Sequence, residues 1–526
     1  MTVNDRAAPL PAQGTRTAAP RFLSGGLLLV ATAAALVVLG WSAAFVSGQI
    51  RLDAIALAVF CIGLLLLMSA MAEYDGLGLA TWRIGSWSLL WGALAFGLAT
   101  ISWLGTQTGP AGEILPGSIL RALWMIAVAM AMLTVGYCVG PRRFAVGHAR
   151  RVTDALSRRF TDEVRGPAVP WGLFGVGVVA QLAYAALTGH FGYVGAAAAA
   201  ATSASGYGQF IAIAGECVPL AVAAAAIRAY RTRTLGARVT LAILFTAAVI
   251  VGAVAGAKTS FVVAILAVII PHTMTRRRLP VGLIAAAIAF FLLIVIPFNI
   301  SYRASARGAV TLSTGQAVAT APAIADQVLA GDLSPSALGQ SVDYLAVRIR
   351  TIDSPAIIMQ RTPSQIPYSN PALLLISPVV DVIPRALWPG KPVLAVGWQM
   401  SQQYYQLPPQ IYTSSDVTPE GDLFRHGGWF WLVAGMFLGG CAIRILDETT
   451  DLRRSVHGAF LILLLFPDIV LAGSDCATLL AGLPGTVLLW LAVIALSFKR
   501  RPGSGVVGGV LAPWPPAHNR PQWRRW

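Results

Sequence analysis

Charge is scarce in this chain. Only 11% of the 526 residues are Asp, Glu, Lys or Arg, whereas 56% are hydrophobic, and the mean hydropathy is +0.70. A soluble domain of this size needs much more polar surface to cover its core. The composition therefore excludes a soluble globular protein and indicates a membrane protein.

The common signatures of soluble enzymes are also missing. The sequence has no Walker loop, no dinucleotide-binding fingerprint, no HExxH and no CxxC. We therefore predict neither a metal nor a cofactor, and ATP-driven transport by this chain alone is disfavoured. Cysteine is rare, and the five cysteines lie in or beside apolar runs, so no disulfide framework is expected: Cys61, Cys138, Cys217, Cys441 and Cys476.

Long apolar runs fill most of the chain. A membrane-spanning helix needs roughly 17–25 apolar residues. By this measure we predict an all-α polytopic protein with about twelve transmembrane helices, at residues 22–46, 54–71, 86–104, 119–139, 168–187, 209–227, 239–256, 259–273, 281–298, 427–445, 457–473 and 482–498.

The net charge of +16 has a distribution that is typical of membrane topology rather than of nucleic-acid binding. Cytoplasmic segments of membrane proteins carry the excess of Lys and Arg. Placing both termini inside puts most of the 38 basic residues there, including the arginine-rich loop at residues 141–167. We predict a cytoplasmic tail at 1–21, helices at 22–298, a large extracytoplasmic loop at 299–426, helices at 427–498 and a disordered cytoplasmic tail at 499–526.

The large loop is the one long segment of mixed polarity, from Asn299 to Arg425. Prolines recur through its second half, which favours short helices and extended segments packed on the membrane domain. Before them, an apolar stripe after Ser334 predicts a helix that stops near Asp353.

Cationic side chains are concentrated on this side of the chain. Guanidinium groups bind phosphate oxygens in a bidentate manner and can stabilise a pyrophosphate leaving group. They could equally be solvated loop charges, and a lysine at a helix end can extend towards the interface. The candidates for pyrophosphate binding are Arg303, Arg307, Arg348, Arg350, Arg385, Lys391 and Lys258.

Acidic residues and a histidine come together where the chain returns to the membrane. Glu420, Asp422 and His426 are candidates for removing a proton from a sugar hydroxyl. The alternative is a polar cap on the tenth span.

Within the spans, Glu216 and Asp468 each lie near a proline. Ionisable groups at that depth line a substrate groove, form a proton path or make a polar contact between helices.

Two stretches resemble a known family. They are Ile383 to Pro392, read as IPRALWPGKP, and Gly421 to Gly428, read as GDLFRHGG. Together with the number of spans and the large loop, they resemble bacterial oligosaccharide repeat-unit polymerases of the Wzy, or O-antigen polymerase, type.

The resemblance implies a GT-C-like fold and an inverting, metal-independent glycosyl transfer. This reaction takes place at the outer face of the bacterial cytoplasmic membrane. The implied substrates are glycans on polyprenyl pyrophosphate, with a flippase and a chain-length regulator as partners and no nucleic acid. It assigns pyrophosphate binding and loop ordering to Arg303, Arg348, Arg350 and Arg385, and acceptor activation to Asp422 or His426.

Three other functions remain open at this point. An O-antigen-ligase-like enzyme would move a finished glycan to a different acceptor. A transporter of glycans or lipids would use Glu216 and Asp468 as coupling groups. A scaffolding membrane protein would bind another protein through the polar loop.

Overall fold

The computed structural model describes residues 48–72, 82–101, 114–140, 145–188, 190–191, 194–195, 208–276, 278–306, 314–330, 349–383, 387–388, 390–391, 396–408, 415–470 and 475–501. In chain order the helices are α1 (Gly48–Ala72), α2 (Ile84–Thr100), α3 (Pro116–Val139), α4 (Ala145–Arg159), α5 (Ala168–Thr188), α6 (Gly208–Gly215), α7 (Cys217–Thr232), α8 (Leu235–Val254), α9 (Lys258–Arg276), α10 (Val281–Phe290), α11 (Ile296–Ala306), α12 (Thr314–Ala330), α13 (Asp353–Arg361), α14 (Ala372–Val382), α15 (Val396–Gln399), α16 (Pro419–Thr449), α17 (Gly458–Val470) and α18 (Cys476–Ser497).

Short π-helical turns interrupt or extend this pattern. One lies inside α2 at Ala93–Gly97, one joins α10 to α11 at Phe291–Val295, and one extends α15 at Met400–Tyr404. The strands are equally short. β1 (Phe160–Val164) pairs with β4 (Phe498–Arg500) in an antiparallel manner, and β2 (His190–Phe191) pairs with β3 (Val194–Gly195).

Eight helices in the described part of the chain are long and apolar enough to cross a membrane. They are Pro116–Val139, Ala168–Leu187, Phe210–Thr232, Leu235–Val254, Lys258–Arg276, Val281–Tyr302, Pro419–Thr449 and Cys476–Ser497, and each coincides with a predicted span. Of the other four predicted spans, 22–46 lies outside the described residues. Those at 86–104 and 457–473 appear as the shorter helices α2 and α17, and the one at 54–71 lies within α1. The total of twelve therefore stays a prediction.

Close approach of α3 and α16 organises one half of the bundle. A Cβ added at Gly136 would collide with the backbone of Phe437, and one added at Gly440 would collide with the backbone of Leu133. Small residues at such contacts let membrane helices pack backbone against backbone.

The other half is built around α7. Its residues from Leu220 to Ala226 are buried, and the helix packs against α5, α8 and α9. Helix α17 contacts both α2 and α9, so it joins the two halves. Two of the polar clusters described below lie at opposite ends of this bundle.

The segment between the two blocks of spans packs on the bundle through α13. This helix contacts α3 and α16, and Ile358 lies against Gly421. The predicted helix after Ser334 lies outside the described residues up to 348. At its expected end, residues 350–352 are not helical and α13 begins at Asp353. Pro355 therefore lies in the first turn of a second helix, where proline needs no backbone hydrogen bond.

Candidate functional site

The first eight residues of α16 form a separate turn of helix above a kink. Thr418 caps this helix, since its Oγ1 accepts a hydrogen bond from the Gly421 amide at 3.2 Å, and Pro419 occupies the first helical position. After His426 the helical conformation is broken at Gly427 and Gly428. Gly428 has a φ of 66°, which a residue with a Cβ adopts only at a cost. The kink thus separates residues 419–426 from the apolar span.

Asp422 lies at the centre of this turn and is completely buried. Its Oδ1 accepts hydrogen bonds from Arg425 Nε at 3.1 Å and Arg425 Nη2 at 2.7 Å. Its Oδ2 accepts from the backbone amide of Cys476, the first residue of α18, at 3.1 Å. Because both oxygens are engaged, Asp422 is placed to position other groups rather than to take a proton itself.

His426 connects this turn to the segment before α14. Its Nδ1 lies 3.1 Å from the carbonyl oxygen of Asn370, which can only accept, so Nδ1 carries a hydrogen. The Ser369 amide donates to the Arg425 carbonyl at 2.9 Å. On the other side of the ring, Nε2 faces Asp422 Oδ1 at 3.5 Å without forming a hydrogen bond.

Glu420 is the acid of this group that retains an unpaired oxygen. Its side chain is buried, and its Oε2 has no hydrogen-bond partner among the described residues. An unpaired buried carboxylate oxygen is costly unless a ligand or water completes it. Of the three residues predicted for acceptor activation, Glu420 is therefore the best placed to accept a proton.

Asp475 and Cys476 complete the cluster from the start of α18. Asp475 accepts hydrogen bonds from the Thr478 amide and hydroxyl, both at 2.8 Å. Burial raises the pKa of Asp475, and the negative charge of Asp422 raises it further. The Cys476 thiol interacts electrostatically with the charges of Asp422, Glu420 and Asp475. Neither residue was predicted, because nothing in the sequence links position 475 to position 422.

Tyr404 lies beside these charged groups. Its hydroxyl is 2.7 Å from that of Thr362, and the side chain is almost completely buried. Burial raises the pKa of Tyr404, while the charge of Arg425 acts in the opposite direction. A buried tyrosine hydroxyl that already has a partner is suited to shaping the site.

Two of the cationic residues predicted to bind pyrophosphate already bind protein groups, and others lie outside the described residues. Arg350 forms an ion pair with Asp353 at 3.1 Å. Lys391 is buried, and its Nζ donates to the carbonyls of Val380 and Ile383 at 3.2 and 3.1 Å. Both are engaged by the protein itself. Arg307, Arg348 and Arg385 lie outside the described residues, as does the side chain of Arg303.

Lys258 and the backbone of Arg303 belong to neighbouring elements. Lys258 is the first residue of α9, and Arg303 lies in α11. Asn299 Nδ2 donates to the Gly256 carbonyl at 2.9 Å, and the Tyr302 hydroxyl donates to the Val254 carbonyl at 2.8 Å. These two bonds attach α11 to the turn before α9.

Glu216 and Asp468 are brought together, although 252 positions of sequence separate Glu216 from Asp468. Each interacts electrostatically with the other, and both side chains are exposed. Glu216 occupies the break between α6 and α7, and Asp468 follows Pro467 in α17. The two carboxylates, from distant parts of the chain, therefore lie within electrostatic range of each other.

A second buried polar cluster lies at the other end of α16. Asp447 accepts hydrogen bonds from the amides of Ile84 and Gly85 at 2.7 and 3.1 Å, and from the Tyr137 hydroxyl at 2.8 Å. The Glu448 carboxylate lies 2.9 Å from Arg150, 3.0 Å from Arg444 and 3.7 Å from Arg83. In the sequence these arginines indicate only topology. The structure adds that they hold the ends of α2, α4 and α16 together.

Other basic segments meet at the same end. Arg165 donates to the carbonyls of Phe498 and Ala495 at 2.8 and 2.7 Å, and so caps α18. Arg231 pairs with Asp162 at 3.6 Å. The described residues contain no group of three His, Cys, Asp or Glu side chains that could hold a metal ion.

These features define an α-helical, membrane-embedded protein with a buried charged cluster at one end and a basic end opposite. Residues 186–449 match the family model described as a domain of unknown function (DUF8712). The matched region is half of the chain, and the protein belongs to that family. No curated protein and no solved structure matches the chain.

Proposed function

We propose that this protein joins polyprenyl-pyrophosphate-linked oligosaccharide repeat units into polysaccharide at the outer face of the bacterial cytoplasmic membrane. The observation that carries the proposal is the buried cluster of Glu420, Asp422, Arg425 and His426 at the membrane end of the polar segment. Within it, one carboxylate oxygen of Glu420 has no described partner. Unsatisfied buried polar groups of this kind are concentrated at functional sites.

The distribution of charge supports the side on which the reaction is placed. Asp422 and Asp447 lie on either side of the apolar span of α16, which rises roughly 27 Å from the kink to Asp447, about the thickness of the hydrocarbon core. The arginines around Asp447 and Glu448 lie at one end, and Asp422 lies at the other. By the positive-inside rule the arginine-rich end is cytoplasmic, so the Asp422 end is outside.

The proposed reaction forms one glycosidic bond and breaks one bond to phosphate. The hydroxyl oxygen of the acceptor sugar bonds to the anomeric carbon of the donor. The bond from that carbon to the pyrophosphate oxygen breaks, and the electron pair leaves with the lipid pyrophosphate. The hydroxyl proton passes to the Glu420 carboxylate.

Asp422 has a positioning role in this scheme. It fixes Arg425 through two hydrogen bonds and faces His426. For the leaving pyrophosphate we propose Arg303 and Arg348, because Arg350 and Lys391 already bind protein groups. Normal polymer length in the variants Arg303→Ala and Arg348→Ala would remove this assignment.

The test uses Glu420→Gln in a strain that lacks the native copy, with lipid-linked glycans separated by size. Glu420→Gln should leave single repeat units on the lipid, with the protein at normal abundance in the membrane. The matched control is Asp416→Asn, an exposed carboxylate four positions earlier. Normal polymer with Glu420→Gln would show that Glu420 is not the base, and polymer loss with both variants would show that the effect is not specific.

The size of the accumulated lipid-linked glycan also separates the related enzymes. In a deletion strain, single repeat units indicate a polymerase, whereas long lipid-linked chains indicate a ligase.

Transport is the second candidate function, because the structure brings Glu216 and Asp468 together. If these carboxylates couple transport, the double variant Glu216→Gln, Asp468→Asn should abolish surface glycan. Unchanged polymer in that variant would argue against a coupling role.

A further inference from the structure

Helix α14 is unusually apolar for a segment placed in a polar loop. Its eleven residues read ALLLISPVVDV, with Asp381 as the single ionisable residue. A solvated surface helix carries polar residues over about half of its circumference. The composition of α14 is that of a membrane-inserted helix, but its length is half of that needed for a span.

The position of α14 in the bundle agrees with that composition. The segment before it is bonded to His426 through Asn370, and α18 begins at Cys476, which is bonded to Asp422. Both helices therefore start at the same polar cluster. Because α14 packs against α18, it follows this span away from the cluster. Eleven residues rise about 16 Å, which is about half of the hydrocarbon core.

The face of α14 that does not contact α18 is exposed and apolar. Leu375 is 71% exposed, Val379 59% and Val382 47%, at the spacing of one helical stripe. Leu387, just beyond the helix, is 79% exposed. Leu488 and Leu491 on α18 and Phe430 in the first turn after Gly428 are exposed as well. An exposed apolar stripe of this kind marks a surface that contacts protein or membrane.

Backbone carbonyls at the C-terminal end of α14 have hydrogen-bond donors, as a low-dielectric environment requires. The last carbonyls of a helix have no partner within the helix, and unsatisfied carbonyls are costly in hydrocarbon. Lys391 returns to this end and donates from Nζ to the carbonyls of Val380 and Ile383. Ser377 Oγ donates to the Leu374 carbonyl at 2.9 Å, inside the helix.

We propose that α14 (Ala372–Val382) is a re-entrant helix that is inserted into the half of the bilayer next to the Asp422 cluster. The exposed stripe of α14 contacts lipid acyl chains. The proposal differs from the sequence-based expectation, which places the whole of 299–426 outside the membrane. The proposal does not depend on glycosyl transfer.

The test measures the depth of nitroxide labels on the full chain in lipid nanodiscs. Labels are attached to Leu375→Cys and Val382→Cys in a background with Cys61→Ser, since Cys61 is the exposed native cysteine among the described residues. Ile243→Cys on α8 is the lipid-facing control, and Asp416→Cys is the aqueous control. Collisions with oxygen and with a water-soluble nickel chelate are compared at each position. Val379→Cys replaces either variant if its protein is not monodisperse.

Both labels on α14 should collide with oxygen and be protected from the nickel chelate, as at Ile243. Val382 should lie about 10 Å deeper than Leu375, because seven residues separate them. Nickel accessibility equal to that at Asp416 would overturn the proposal. Protection from both reagents would show that protein covers the stripe, and equal depths would show a helix lying on the surface. Either result would also overturn it.

Discussion

The ion pair between Asp422 and Arg425 allows a quantitative prediction, because both partners are almost completely buried. Their side chains are 0% and 6% exposed, and Arg425 supplies two of the hydrogen bonds to Asp422. In Arg425→Ala the carboxylate keeps the Cys476 amide at 3.1 Å and His426 at 3.5 Å. The variant therefore leaves the buried Asp422 carboxylate without its positively charged partner and without two of its three hydrogen bonds.

The expected loss of stability is about 3–5 kcal/mol, the usual cost of removing one partner from a buried pair. Two hydrogen bonds to charged groups at about 1.5–3 kcal/mol each give about 3–6 kcal/mol, which overlaps that range. The comparison is Lys499→Ala, which removes an exposed pair with Glu163 at 2.8 Å. Exposed pairs contribute about 0.2–1 kcal/mol, so this variant should unfold almost as the parent does.

Denaturant-induced unfolding of the purified protein, followed by tryptophan fluorescence, measures both changes. The double variant Asp422→Asn, Arg425→Leu should be more stable than Arg425→Ala, since it removes the buried charge as well as its partner. Equal losses in Arg425→Ala and Lys499→Ala would refute the reasoning. A double variant less stable than Arg425→Ala would refute it as well.

Two further predictions concern the kink and the opposite end of the bundle. Gly428→Ala should cost at least about 1–2 kcal/mol, because φ is positive there and the new Cβ would lie 2.9 Å from the Tyr368 hydroxyl. Gly439→Ala in the same helix meets no atom within 4 Å and should be neutral or stabilising in the same unfolding assay; equal losses in the two variants would contradict this. Burial lowers the pKa of His457 in the folded protein from its ordinary value of 6.5. Below pH 6.5 the unfolded state therefore binds a proton more readily than the folded state, and the free energy of unfolding should fall as the pH drops. His457→Gln should reduce that pH dependence, and an unchanged dependence would exclude His457 as its source.

The transmembrane helices were the most predictable part of the structure. Apolar length and bilayer thickness locate the eight long helices to within a few residues at most of their ends. The clearest miss is the short helix at 419–426, because the predicted span begins only at residue 427, where the kink lies. Thr418 and Pro419 are recognisable start signals, but the Gly427–Gly428 pair reads as a boundary and conceals the turn before it.

The candidate site was predictable only where its residues are close in sequence. Glu420, Asp422 and His426 could be grouped because they lie within one or two helical turns. Their partners Asn370 and Cys476 come from more than 50 positions away, and no periodicity connects them. Lys391 was assigned to phosphate from its charge alone, whereas the structure shows it on helix carbonyls.

The apolar character of α14 was visible in the sequence but was too short to count as a span. Eleven residues fall below the length that identifies a transmembrane helix. Its packing on α18 is a tertiary property, and only that packing distinguishes an inserted segment from a surface helix in a loop.

Transfer by the purified protein is the most direct test of the central claim. The protein is placed in lipid vesicles with polyprenyl-pyrophosphate-linked glycans extracted from a strain that lacks it. We predict longer lipid-linked chains and release of free polyprenyl pyrophosphate with the native protein, and neither with Glu420→Gln. Lipid-linked glycans that stay at their original length in the presence of folded native protein would contradict the account.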